Sequence, residues 1–360
     1  MTRARKVPAL AALLVPVALV LYPLLVPRFW ILSIASQAII LGIVALSLVF
    51  MAGQGGMVSL AQAALAGLAA YMTAILTLRL GLPALPAGLI AVLIATLVGA
   101  LFGAIASRSQ GIYFLMLTLA LAVGFFYLAL QNYDLFGGHI GFAGVLGPTG
   151  SPRENPAAFY YLCLATAVAA YLSLRYLARA PLGLSFQGIR DNPRRMWALG
   201  YWVSLHRVAI FAIGGLVAGL SGVLGIWYRG SISPGTVDLT RTIDVLIIAV
   251  VGGLGHPIGA FVGALFFVLV QTFASSVVVL GFSFDERFNT LIGLSFLLVV
   301  LFAPDGLIGL AARARVLIGR RLADRRRDPG PPVVRPVPEP VPVDAGADPP
   351  STPTQPLDRS

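Results

Sequence analysis

Apolar runs, each about the length of a bilayer crossing or half of one, alternate along the chain with short punctuations of charge, proline and glycine. They fall near 8–26, 31–52, 58–78, 84–107, 112–130, 157–177, 207–228, 243–255, 258–280 and 288–303. A helix needs roughly 20 apolar residues to cross a hydrocarbon layer of about 30 Å, and inside lipid its backbone has only itself to bond to. The pattern therefore predicts an all-α fold, a polytopic transmembrane helix bundle with about ten hydrophobic segments, some of them interrupted. Stretches such as 85–107 and 155–174 carry no charge. That is expected where each Lys, Arg or Asp at mid-membrane costs roughly 2.5–3.5 kcal/mol.

Two places interrupt the apolar pattern. Gly53-Gln54-Gly55-Gly56-Met57-Val58-Ser59-Leu60-Ala61-Gln62 breaks one region, and Gly252-Gly253-Leu254-Gly255-His256-Pro257-Ile258-Gly259 breaks another. Two readings are open for such pairs. Irregular backbone at membrane depth lines a protected cavity or path; alternatively, each break is a tight cytoplasmic turn between two close-packed helices. From 311 to 360 the pattern ends in Arg-rich and then Pro-rich sequence with too little apolar content for a core, a disordered tail. Its arginines are either solvated or laid on membrane lipid headgroups.

Composition strengthens the membrane assignment, with 58% hydrophobic against 11% charged residues. The net charge of +11 raises the question of nucleic acid, but the basic residues flank apolar spans or lie in the tail, so they set orientation instead. With the N-terminus inside, 19 Lys and Arg face the cytoplasm and 6 face outward. Both termini are then cytoplasmic, the loop 178–206 is inside, and 131–156 is outside. Arg3, Arg5 and Lys6 precede the first run, which reads as a retained helix rather than a cleaved leader because no small-x-small site follows. Cys163 is the single cysteine and sits within an apolar span. His139, His206 and His256 have no metal-ligand spacing, so no metal or catalytic role is assigned. A membrane-embedded enzyme would need a nucleophile and base at depth, and the spans supply none.

Chemistry concentrates in a few polar positions. Gln54, Ser59, Gln62 and Thr118 interrupt apolar surroundings, either as walls of a translocation path or as hydrogen-bonding glue between helices. Asp244 opens a short segment, as a helix N-cap or in an outer vestibule. In the cytoplasmic loop, Asn192 suits an N-cap, Pro193 the first helical position and Gly200 a left-handed stop, predicting a short helix between them. Met196 and Leu199 then make an apolar spot beside Arg194 and Arg195, fit for docking into another protein or for lying on the membrane surface.

The loop run Gly188-Ile189-Arg190-Asp191-Asn192, followed by Ala198-Leu199-Gly200, resembles the cytoplasmic segment of branched-chain amino-acid ABC transporter permeases of the LivM type. Further matching pieces are Gly53-Gln54 with Ser59-Leu60, Gly111 with Tyr113 and Thr118-Leu119, and Asn132-Tyr133-Asp134 with Gly137-Gly138. Others are Ile232-Ser233-Pro234, the run from Thr242 to Gly259, and Ala303-Pro304-Asp305-Gly306-Leu307. Departures from the family pattern are Pro193, Arg195, Val123 and Tyr127, the last two standing where the family often has Glu and Arg.

The resemblance implies three regions: 1–30 with the N-terminal cytoplasmic tip and first helix, 31–310 as the permease domain with a coupling loop at 178–206, and the tail 311–360. It implies a permease subunit of an ATP-driven importer in a bacterial-type inner membrane, carrying branched-chain amino acids or a related small polar solute such as another amino acid, urea or an amide. Expected partners are a second homologous permease, two cytoplasmic ABC ATPases and an extracytoplasmic solute-binding protein. No Gly-x-x-x-x-Gly-Lys-Ser/Thr loop occurs, so the chain is expected to bind no cofactor, with ATP and Mg used by the ATPases. Coupling to them is expected of Arg190, Asp191, Asn192, Arg194, Met196, Leu199 and Gly200. An ion-coupled secondary transporter or a channel is the alternative, disfavoured by the shortage of ionisable groups in the spans.

Overall fold

The computed structural model describes residues 18–23, 26–109, 111–274, 278–279, 282–283 and 306–310, with single residues 293, 297 and 301. The tail 311–360 and nearly all of the predicted spans 8–26 and 288–303 lie outside the described residues, apart from a helical piece at 18–23. Among the described residues, five helices are long and apolar enough to cross a membrane. They are α1 (Trp30–Gly55), α3 (Ala84–Ala106), α4 (Ile112–Gln131), α5 (Pro156–Arg179) and α8 (Val203–Arg229).

Three of the ten expected segments take other forms. The run near 58–78 gives α2 (Gln62–Leu78), whose 17 residues extend roughly 25 Å at 1.5 Å each, short of a full crossing. Segments 243–255 and 258–280 give α9 (Leu239–Gly252) and α10 (Pro257–Ala274). These join at a 117° bend, so together they make at most one broken span. Two short helices, α6 (Pro181–Asp191) and α7 (Pro193–Ala198), lie between α5 and α8.

Burial divides the spans into two kinds. Within an 18-residue apolar stretch of each span, 78% of α1 and 72% of α8 is buried, against 28–33% in α3, α4 and α5, so α1 and α8 form the centre and the others the rim. Helix α8 packs on α1, α2 and α3, and α10 returns to cover α1. The α3–α8 contact rests on small residues one turn apart. Ala87, Ala91 and Ala95 are fully buried, and Gly99 and Gly103 continue the row. A methyl group on Gly99 would stand 3.0 Å from the Phe211 carbonyl, and one on Gly215 would stand 2.7 Å from that of Ala95. In lipid, where apolar area alone gives helices no reason to meet, such backbone approach supplies the attraction. The opposite face of α3 presents Leu85, Leu89, Leu93, Leu97 and Leu101, all exposed.

The bend between α9 and α10 is built the same way. A side chain on Gly259 would meet the Gly252 carbonyl at 2.6 Å, and one on Gly263 the Gly252 nitrogen at 2.8 Å. At the far end of α8 the strands β1 (Phe142–Ala143) and β2 (Ser231–Ile232) pair antiparallel, with Phe142 opposite Ile232. That pairing ties the 131–156 loop to the link after α8, two segments expected on one side of the membrane.

Candidate functional site

The loop between α5 and α8 folds as two helices at a sharp corner. Ala180 is extended, Pro181 opens α6, and Gly183 lies so close to the Leu177 and Ala178 backbone that only a glycine fits there. Phe186 and Ile189 are the buried face of α6. The expected cap is present: the Asn192 side chain accepts from the Arg195 N–H at 3.0 Å, Pro193 opens α7, and Gly200 stands at φ +88. Sequence reading foresaw this helix but missed α6, whose signal was the Ala180-Pro181 step ahead of an amphipathic turn.

Helix α7 folds back over α6. The Met196 sulfur stands 2.8 Å from where a Gly188 side chain would begin, so Met196 is half-buried. The apolar groups left facing outward are Trp197 (75% exposed) and Leu199 (64%), beside exposed Arg194 and Arg195. Trp202, a little further on, is exposed as well. Of the spot expected from Met196 and Leu199, Leu199 faces outward while Met196 packs against Gly188, and Trp197 is the further exposed apolar group of α7.

Arg190 turns the other way, toward the first interruption. Its guanidinium donates to the Gly53 carbonyl, and its Nε donates to Asp191 at 2.9 Å. The aliphatic stem of Arg190 occupies the place of a Gly56 side chain, its Cγ 2.6 Å from that point, and Gly56 itself is left-handed at φ +65. One turn earlier, the Gln187 amide donates to the Gln54 side-chain oxygen at 2.9 Å and to the Ala178 carbonyl at 3.0 Å. The second interruption adjoins the first, with the Leu254 carbonyl 3.6 Å from the position of a Gly53 side chain. Both breaks and the loop therefore gather at one end of the bundle.

Each of the four polar residues expected along a path takes part in an internal hydrogen bond. Gln54 is engaged by Gln187 of the loop. Ser59 is buried and accepts from the Ala61 N–H at 3.2 Å. Gln62 is buried, its oxygen taking the Ser47 hydroxyl at 2.9 Å and its nitrogen lying 2.8 Å from the Met51 sulfur. Thr118 donates to the Leu115 carbonyl at 3.0 Å and accepts from the Leu60 N–H at 3.2 Å, holding α4 to the segment before α2. Each hydrogen bond satisfies a polar group that lipid would leave unpaired.

A cavity of about 140 Å³ lies elsewhere, toward the opposite end of α8 from the loop. Gln37 of α1, Ser221, Tyr228 and Arg229 of α8, and Arg241 and Asp244 of α9 supply its polar wall. Ile40, Val44 and Val245 supply apolar wall. Asp244 is not the helix cap: Asp238 caps α9, accepting from the Arg241 N–H at 2.9 Å, while Asp244 faces the cavity and pairs with the Arg241 guanidinium at 3.4 Å. From the sequence, Asp244 was a candidate and Arg229 and Arg241 counted only as outward-facing charges; the signal was four charges, Arg229, Asp238, Arg241 and Asp244, around the ends of α8 and α9 on the side otherwise poor in them.

Membrane-crossing helices around two buried central ones, with broken helices meeting a capped surface loop, define a polytopic α-helical membrane protein. The family described as branched-chain amino acid transport system, permease component, matches residues 30–302, and the chain belongs to it. It is similar to the high-affinity branched-chain amino acid transport system permease protein LivM of Salmonella typhimurium, 24% identical over 172 residues, 48% of this chain and 39% of that protein. LivM of Escherichia coli is 25% identical over the same shares. The high-affinity branched-chain amino acid transport system permease protein BraD of Pseudomonas aeruginosa is 27% identical over 135 residues, 37% of this chain and 42% of that protein. The match spans less than half the length of these curated relatives.

Proposed function

We propose that this chain is the membrane-spanning permease subunit of an ATP-driven importer, moving branched-chain amino acids or a related small polar solute by alternating access. Its site in the assembly is the α6–α7 loop. One observation carries the reading: the loop faces two ways at once. Arg190 and Gln187 hold it to the break after the central helix α1, while Trp197, Leu199, Arg194 and Arg195 face outward. A rigid knob with one face fastened to a central helix and the other free is what transmission of an ATPase movement requires. The reading places the loop in the cytoplasm of a bacterial inner membrane, in a groove of an ATPase. A second permease, a second ATPase and an extracytoplasmic binding protein complete the assembly, with ATP and Mg bound on the ATPases.

Uptake of radiolabelled leucine into proteoliposomes holding the assembled complex tests this. Uptake is expected to need ATP and the ATPase subunits, and Leu199→Asp is expected to abolish it while leaving membrane insertion intact. Uptake that continues without the ATPases and stops only when a proton gradient collapses would overturn the reading.

A further inference from the structure

The cavity between α1, α2, α8 and α9 is not accounted for by the coupling loop. Its polar wall carries two guanidinium groups and one carboxylate. Asp244 is shared with Arg241 through a single long contact of 3.4 Å, which engages one of its two oxygens. Arg229 has no ion pair among the described residues. An arginine at a helix end in a membrane ordinarily extends outward to the headgroups. Arg229 stays exposed at the end of α8 and also lines the cavity, its Nη2 lying back along the helix 3.3 Å from where a side chain on Gly225 would begin. Gly225, one turn earlier, leaves the room that keeps this cation beside the cavity.

The remaining wall is aliphatic, with Ile40 and Val44 of α1 and Val245 of α9. A space of about 140 Å³ is of the size that holds a benzene molecule in an engineered protein cavity, roughly 150 Å³, so its occupant is small. An unpaired guanidinium asks for a carboxylate, ideally held by two parallel hydrogen bonds. The free oxygen of Asp244 asks for a donor such as an ammonium group. The apolar wall asks for a short hydrocarbon.

We infer that this cavity is a solute-binding site for a small aliphatic zwitterion, with its carboxylate on Arg229, its ammonium on Asp244 and its side chain against Ile40, Val44 and Val245. The inference rests on the permease reading, under which this end of α8 faces the side from which solute arrives. Arg241 holds Asp244 in place through their contact at 3.4 Å.

Saturation-transfer NMR on the full chain in phosphatidylcholine and phosphatidylglycerol nanodiscs tests it, because that method reads weak contacts. The probes are leucine, 4-methylpentanoate, which lacks the ammonium, and 3-methylbutylamine, which lacks the carboxylate. Wild-type chain is expected to bind leucine about tenfold more tightly than either single-headed analogue, as for loss of one charge-assisted contact. Arg229→Gln is expected to lower leucine to the level of the amine, Asp244→Asn to the level of the acid, and Gly225→Leu to abolish all three. Absence of a saturable leucine signal in the wild type, equal binding of the three probes, or variants that bind leucine as the wild type does would each overturn the site. The wild-type comparison of probes stands even where a variant fails to fold. ATP-driven uptake by the assembled complex is read separately. Its presence with no leucine signal here removes the site and spares the permease reading; its absence removes the permease reading.

Discussion

Replacing Arg190 by Ala should release the α6–α7 loop from the break after α1. The substitution removes a charge-assisted hydrogen bond to the Gly53 carbonyl, worth roughly 1.5–3 kcal/mol when the donor is ionised. It also removes the stem that covers Gly56. The Asp191 pair adds little, since its side chains are 39% and 67% exposed and such pairs contribute about 0–1 kcal/mol. A loss near 2 kcal/mol would raise the open population of the loop about thirtyfold. Hydrogen exchange read by mass spectrometry over peptides covering 181–200 measures this directly. Exchange should accelerate by roughly ten- to a hundredfold in Arg190→Ala and change little in Asp191→Ala. Exchange within about twofold of the wild type in Arg190→Ala would show that the contact does not hold the loop, and the coupling argument built on it would fail.

Further expectations follow from single contacts. Asn192→Ala removes the cap on α7 and should cost about 0.5–2 kcal/mol, seen as faster exchange confined to 193–199. Gly215→Ala places a methyl 2.7 Å from the Ala95 carbonyl and should lower the unfolding temperature in detergent by an overpacking cost of about 1–3 kcal/mol. Gly124→Ala, with nothing within 4 Å, should leave that temperature unchanged or raise it through better helix propensity. Tyr71 is fully buried with its hydroxyl unpartnered among the described residues, so Tyr71→Phe should be neutral or stabilising in the same melt.

The chain by itself determined the solvent in which it folds, because no soluble arrangement hides this much apolar sequence with so few charges. It also determined local punctuation: the break at Gly53–Gly56, the bend at Gly252–Pro257, and the Asn192-Pro193 start and Gly200 stop of α7 all depend on neighbours along the chain. These features follow from backbone rules that act over a few residues. Even the rows Ala87, Ala91, Ala95, Gly99 and Leu85, Leu89, Leu93, Leu97 stood in the sequence as the two faces of α3.

Which helices are central was not legible, for a physical reason. Lipid and protein interior are both apolar, so α1 and α4 look alike in sequence although one is enclosed and the other peripheral. The same limit applies to the polar residues. Gln54, Ser59, Gln62 and Thr118 looked equivalent in an apolar context, and only the fold brought Gln54 to Gln187 and engaged the other three in internal hydrogen bonds. Only the fold placed Asp238 at the cap and freed Asp244 to join Arg229 and Arg241 at a cavity, because those charges come from two helices whose angle no local rule sets.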